Sequence, residues 1–186
     1  YFYPGNYIML FYLAFFPGLA AIIATMLIKE KPVIRSSETP KSKLNFFAFI
    51  SYWKKSPAEY RKLVAGLLFF ALFNSSDVFL LLKLKENGLP DSTVIGVYIF
   101  YNLVYAVMAY PVGMLADRLG LKKIFLAGIL LFAVVYAGFT LEAPLWVSAI
   151  LFLLYGVYAA ATESVSKAWI SNIADRGDTA TAIGTY

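Results

Sequence analysis

Five apolar stretches, parted by short polar or charged breaks, take up most of the chain. They run from about Tyr7 to Ile28, Lys62 to Leu82, Thr93 to Leu115, Ile124 to Leu141, and Leu145 to Ala161 or a little beyond. A helix rising 1.5 Å per residue needs roughly 20 residues to cross about 30 Å of hydrocarbon, so each stretch predicts a transmembrane helix. Helix punctuation agrees with these limits. "SPAE" offers Ser56 as N-cap, Pro57 as first helical residue and Glu59 as capping-box partner of the second helix, and Asp91 or Ser92 can cap the third.

The segment between the first two helices is polar and proline-bearing at first, which predicts a flexible linker. Its second half, "LNFFAFISYWKK", sets Phe46, Phe49, Ile50 and Trp53 at helical spacing before Lys54 and Lys55, as a helix lying among lipid headgroups would; an irregular loop with exposed aromatics is the alternative.

The five helices differ in where they carry polar groups. In the second, "FNSSDVF" puts Asn74 and Asp77 on one face at i, i+3, with Gly66 and Phe70 extending the stripe. Asp77 lies about 22 Å up a helix entered near Lys62. A carboxylate at that depth is costly unless it faces water or a partner, which marks a site in a polar cavity; snorkelling toward Lys83 is the alternative. In the third, Tyr98, Tyr101, Asn102 and Tyr105 follow at i, i+3, i+4 and i+7, deep in the helix rather than at its ends. Such a stripe suits a pocket for an organic solute, and equally suits helix packing.

The fifth helix has Ser148, Tyr155, Tyr158 and Thr162 on neighbouring faces, then Glu163 and Lys167 spaced for an intrahelical ion pair near one end. Counted along straight helices, Asp77 and Glu163 fall at opposite depths and do not share a site. The first and fourth helices have no acid or base within their apolar runs, so the order reads outer, inner, inner, outer, inner. That is a bundle around a hydrophilic path rather than an anchor.

Composition places this all-α polytopic bundle in a bilayer. Hydrophobic residues make up 61% and charged residues 15%, against roughly 45–50% and about 25% in soluble domains. With no cysteine and no histidine, disulfides, thiolate or imidazole metal sites and histidine bases are excluded, and no metal or cofactor is expected. The net charge of +5 needs no nucleic acid to explain it. Nine basic residues fall between Lys29 and Lys62, and Arg118, Lys122, Lys123 and Arg176 fall at two later turns. The positive-inside rule then makes 29–61, 116–123 and 174–178 cytoplasmic. An enzyme built on Asp117 and Arg118 would lack the clustered carboxylates that such chemistry needs.

The turn "GMLADRLGLKK" closely resembles a signature of the major facilitator superfamily, G-x-L-A-D-R-x-G-R-K, in Gly113, Leu115, Ala116, Asp117, Arg118, Gly120 and the pair Lys122, Lys123; Leu121 stands where a basic residue is usual. "FFPGLAAIIATMLIKEKP", "LFALFNSSDVFLLLK" and "YGVYAAATESVSKAWISN" resemble that family's sixth, seventh and tenth helices. The resemblance implies a fragment of a twelve-helix fold, from the sixth helix into the start of the eleventh, in agreement with an opening that lacks methionine and an end at "TAIGTY". It divides the chain into the last helix of a first half (1–28), a cytoplasmic linker with an interfacial helix (29–61) and an incomplete second half (62–186). It also implies a bacterial inner-membrane location and a separate first half that completes the cavity.

The function it implies is secondary transport of a small organic solute by alternating access, coupled to a proton, and not enzymatic. A multidrug-type efflux antiporter and a non-transporting receptor or scaffold are the alternatives. Asp77, Asn74, Tyr98, Tyr101, Asn102 and Tyr105 become candidates for substrate or proton contact, and Glu163 and Lys167 for an inner gate. In the turn, Gly113 and Gly120 allow close packing, while Asp117 with Arg118, Lys122 or Lys123 would latch the two halves.

Overall fold

The computed structural model describes residues 7–27, 48–74, 76–141, 144–175 and 177–186. Two compact units divide the chain, Tyr1–Lys43 and Leu44–Tyr186. The described part of the first is one helix, α1 (Tyr7–Met26), which carries Pro17 inside it and exposes Phe15, Phe16 and Met26.

The second unit is an all-helical bundle in its described residues: α2 (Ala48–Lys55), α3 (Ala58–Phe73), α4 (Asp77–Glu86), α5 (Asp91–Leu119), α6 (Leu121–Phe139), α7 (Leu145–Ala159), a π-helical turn (Ala160–Ser164), α8 (Val165–Ile173) and α9 (Thr179–Thr185). Four segments are long and apolar enough to cross a membrane: Ala58–Glu86, Asp91–Leu119, Leu121–Phe139 and Leu145–Ile173. The large apolar side chains Phe69, Leu72, Ile99, Leu103 and Leu130 are exposed. Water would penalise that surface, whereas lipid tails accept it.

Several expected boundaries move. The third helix is longer at both ends than its apolar core, and the fifth continues through the π-turn to Ile173. Ser56 does not cap α3. Pro57 holds the N-cap position without a side-chain cap, and the Ser56 hydroxyl donates to the Trp53 carbonyl at 2.9 Å. Pro90 likewise takes the N-cap of α5, leaving Asp91 in the first turn, where it pairs with Lys85 at 2.9 Å. In both cases the proline's fixed φ starts the helix one residue away from the polar candidate.

The largest correction concerns the second predicted span, which is interrupted. Asn74 is extended at φ −74°, ψ 105°, and Ser76 caps α4 by accepting from the Val78 N–H at 3.4 Å. Asn, Ser and Asp offer the backbone local hydrogen bonds that compete with a helix, and here these residue types stand together.

The bundle is held by close approach around α7. A Cβ at Gly156 would lie 2.9 Å from the Tyr101 carbonyl oxygen of α5, one at Gly138 2.6 Å from Leu151, and one at Gly128 2.8 Å from Thr162. Helices in lipid gain little from apolar burial as such, so small residues that let backbones meet carry the association. Phe152, Val135 and Leu84 are fully buried at one end of the bundle, and Tyr60, Val64 and Ile170 at the other.

The linker helix α2 docks rather than floats. Tyr52 is buried edge-on against Tyr60 at 5.2 Å between centroids, while Lys54 and Lys55 stay exposed. Burial, then the neighbouring Tyr60, Asp178 and Asp175, pushes the Tyr52 phenol above its ordinary range. Phe46 and the side chain of Phe49 lie outside the described residues, as do the first half of the linker and Arg176. The Tyr60 hydroxyl donates to the Ala182 carbonyl of α9 at 2.8 Å. Tyr60→Phe is expected to cost about 0.5–1.5 kcal/mol, read as faster labelling of a single cysteine placed at Thr181 in this cysteine-free chain.

Candidate functional site

The break between α3 and α4 places two polar groups against the tyrosines of neighbouring helices. Tyr101 of α5 donates a hydrogen bond to Asp77 Oδ2, and the Ser76 hydroxyl donates to Asp77 Oδ1 at 3.2 Å. Tyr158 of α7 donates to Asn74 Oδ1 at 2.9 Å. Asn74 and Asp77 are therefore joined by their partners rather than by sharing a helical face. Asp77 is half-buried and is the first residue of α4, where the positive end of the helix dipole favours a carboxylate. Lys83 pairs with Glu86 at 2.8 Å.

The aromatic rings form one continuous wall. Tyr98 and Tyr101 lie 5.5 Å apart, Tyr101 and Tyr155 5.5 Å, and Tyr155 and Tyr158 5.2 Å between centroids. Tyr101, Tyr155 and Tyr158 are buried, and Tyr98 is 44% exposed. Asn102 uses its amide on its own helix, donating to the Tyr98 carbonyl at 2.8 Å.

Glu163 sits on the π-helical turn. The side chains of this region supply partners for its carbonyls: Thr162 donates to Tyr158 O at 2.9 Å, Ser164 to Ala160 O at 2.6 Å and Ser166 to Glu163 O at 3.0 Å. The Glu163 carboxylate interacts with Tyr105 of α5. Among the described residues no ion pair joins Glu163 to Lys167, because the widened turn breaks the i, i+4 register that the pairing needs. The expected separation of Asp77 from Glu163 also shrinks. Their partners Tyr101 and Tyr105 are one turn apart on α5, about 6 Å along its axis.

The charged turn lies at the other end of α5. Asp117 and Arg118 are exposed on its last turn, and Gly120 joins α5 to α6 at φ +99°, a conformation that a side chain strains. Gly120→Ala is expected to cost about 1–3 kcal/mol, measured as a lower Tm of the purified protein. Gly113, Ala116 and Asp117 line a groove of about 210 Å3 with Ser164, Val165 and Ala168. Asp117 makes no ion pair with Arg118, Lys122 or Lys123 among the described residues. A larger cleft of about 560 Å3 between α3, α6 and α8 is lined mainly by apolar side chains and lies away from Asp77.

Tyr155 and Tyr158 complete the site. The sequence shows them on the fifth helix, but nothing in their spacing ties them to Asp77. The four residues Asn74 to Asp77, all of capping type, were the available signal for the break.

Comparison with known proteins agrees with this architecture. A profile of the Major Facilitator Superfamily matches residues 2–186. An uncharacterised MFS-type transporter of Methanocaldococcus jannaschii is 28% identical over 175 residues, which cover 91% of this chain and 42% of the relative. The chain thus spans less than half the length of the curated relative it matches. No solved structure matches it. The match over nearly every residue, together with four apolar spans and the charged turn between α5 and α6, settles the family: the chain belongs to the Major Facilitator Superfamily.

Proposed function

We propose that this chain is the second half of a secondary transporter that moves a small organic solute across a cell membrane by alternating access, with Asp77 as the proton-coupling group. One observation carries this reading: a membrane-spanning helix is interrupted, and the carboxylate that opens its second part is held by a hydroxyl from another spanning helix. Interrupted helices serve transporters because half-helix ends and freed backbone groups can face a solute or ion instead of lipid. The first half of the fold would close the cavity over Asp77, Tyr98 and Tyr105.

The charged turn fits the same cycle. Asp117, exposed beside the groove formed by Gly113, Ala168 and Ser164, would meet a helix end of the other half in one state and release it in the next. The linker, this turn and the turn at 174–178 would face the cytoplasm.

The test is the full-length gene product in liposomes with an imposed pH gradient and a trapped pH-sensitive dye, challenged with sugars, organic acids, amino acids and organic cations. Dissipation of the gradient by one class is the expected result. Transport with no proton movement would refute the coupling, and no transport of any class would refute the reading.

A further inference from the structure

We propose that the tyrosine-lined face between Asp77 and Glu163 binds an organic cation, so that the solute is an amine or quaternary ammonium compound. This rests on the transport reading above and adds the substrate class.

Charge comes first. Asp77 meets only hydroxyls among the described residues, Ser76 and Tyr101, and Glu163 meets tyrosine. No lysine or arginine occurs between Lys62 and Lys83, between Lys85 and Arg118, or between Lys123 and Lys167. Within those stretches two carboxylates, Asp77 and Glu163, stand beside the tyrosines with no lysine or arginine among them, which repels a carboxylate or phosphate solute and leaves a positive one as the natural counter-charge.

Shape and surface come second. Tyr98, Tyr101 and Tyr105 run along α5 over about 10 Å, with Asp77 at the middle tyrosine, Tyr101, and Glu163 at Tyr105. Tyr98, the exposed member, presents its ring beside the Tyr101–Asp77 pair. A tyrosine face next to a carboxylate is the chemistry that recognises an ammonium group.

An unused polar group comes third. Tyr155 is only 6% exposed, and its hydroxyl has no hydrogen-bond partner among the described residues. No fully buried side-chain oxygen lacks a partner there, so this hydroxyl keeps some accessible surface. It lies within electrostatic reach of Asp77. A solute with an N–H or a hydroxyl would meet it.

The experiment is counterflow in liposomes holding the full-length gene product, with labelled tetramethylammonium, tetraethylammonium and ethidium set against glucose and succinate. Saturable exchange of at least one cation and not of glucose or succinate is expected. Tyr98→Leu should raise KM for that cation about 2- to 30-fold, while Tyr98→Phe, which keeps the ring, should leave it within about twofold. Tyr98 is exposed, so both variants should fold. Exchange of glucose or succinate without any cation would overturn the substrate class and leave transport standing. Equal effects of Leu and Phe at Tyr98 would overturn the ring-face contact, and no exchange of any probe would remove the transport reading and this proposal together.

Discussion

Gly156→Leu is expected to yield no properly assembled protein. A Cβ at this position would sit 2.9 Å from the carbonyl oxygen of Tyr101 and 2.9 Å from both Cβ and Cγ1 of Val104. The oxygen belongs to helix backbone and cannot swing aside, so α5 and α7 would have to separate along their whole contact. Overpacking of a tight core costs about 1–3 kcal/mol, and a leucine adds three further carbons to the clash. The separation would also pull Tyr101 from Tyr155 and disturb the wall beside Asp77. The measurement is the monodisperse fraction and Tm after purification, with Gly156→Ala as the milder case. Gly96→Ala is the control, since nothing lies within 4 Å of its added Cβ. A Leu variant as stable as the parent would mean that the helices do not cross at Gly156.

Asp77→Asn is expected to abolish the response of solute accumulation to a pH gradient. The amide has the size of the carboxylate and can still accept from Tyr101, so the fold should persist. What it loses is the ability to exchange a proton. A coupling free energy of about 1–3 kcal/mol corresponds to about 5- to 150-fold in accumulation. Counterflow at saturating solute, which needs no gradient, should survive. Retention of full pH-dependent accumulation by the Asn variant would remove Asp77 from the coupling step and leave it a structural partner of Tyr101.

The helices were legible because apolar runs of spanning length and a charged turn are signals that survive averaging. Asp77 and the stripe from Tyr98 to Tyr105 were legible for the opposite reason: polar groups inside such runs stand out. The interruption at Asn74–Ser76 was not, because four polar residues barely lower the mean hydropathy of a long apolar window. Only the capping preferences of those residue types pointed to it. The pairing of Tyr158 with Asn74 joins residues 84 positions apart, and no local pattern encodes that. Glu163 and Lys167 do not pair among the described residues because the pattern assumed an unbroken α-helix, and the depths expected for Asp77 and Glu163 rested on the same assumption of straight, uninterrupted helices.

The π-helical turn at Ala160–Ser164 has a consequence for the numbering of faces. Such a turn fits about one extra residue into 360°, so residue numbers after it run about 100° out of step with the count along an unbroken α-helix. Residues 165–173 are thus out of phase with 145–159, although the two stretches look like one rod. Removing a single residue within the turn would make the rod a regular α-helix and leave Trp169 on the side where it now packs on Phe125, because the widened turn already absorbs the extra residue. Along this rod, a one-residue gap in an alignment at 160–164 marks the loss of the widened turn, with the faces on either side of it kept.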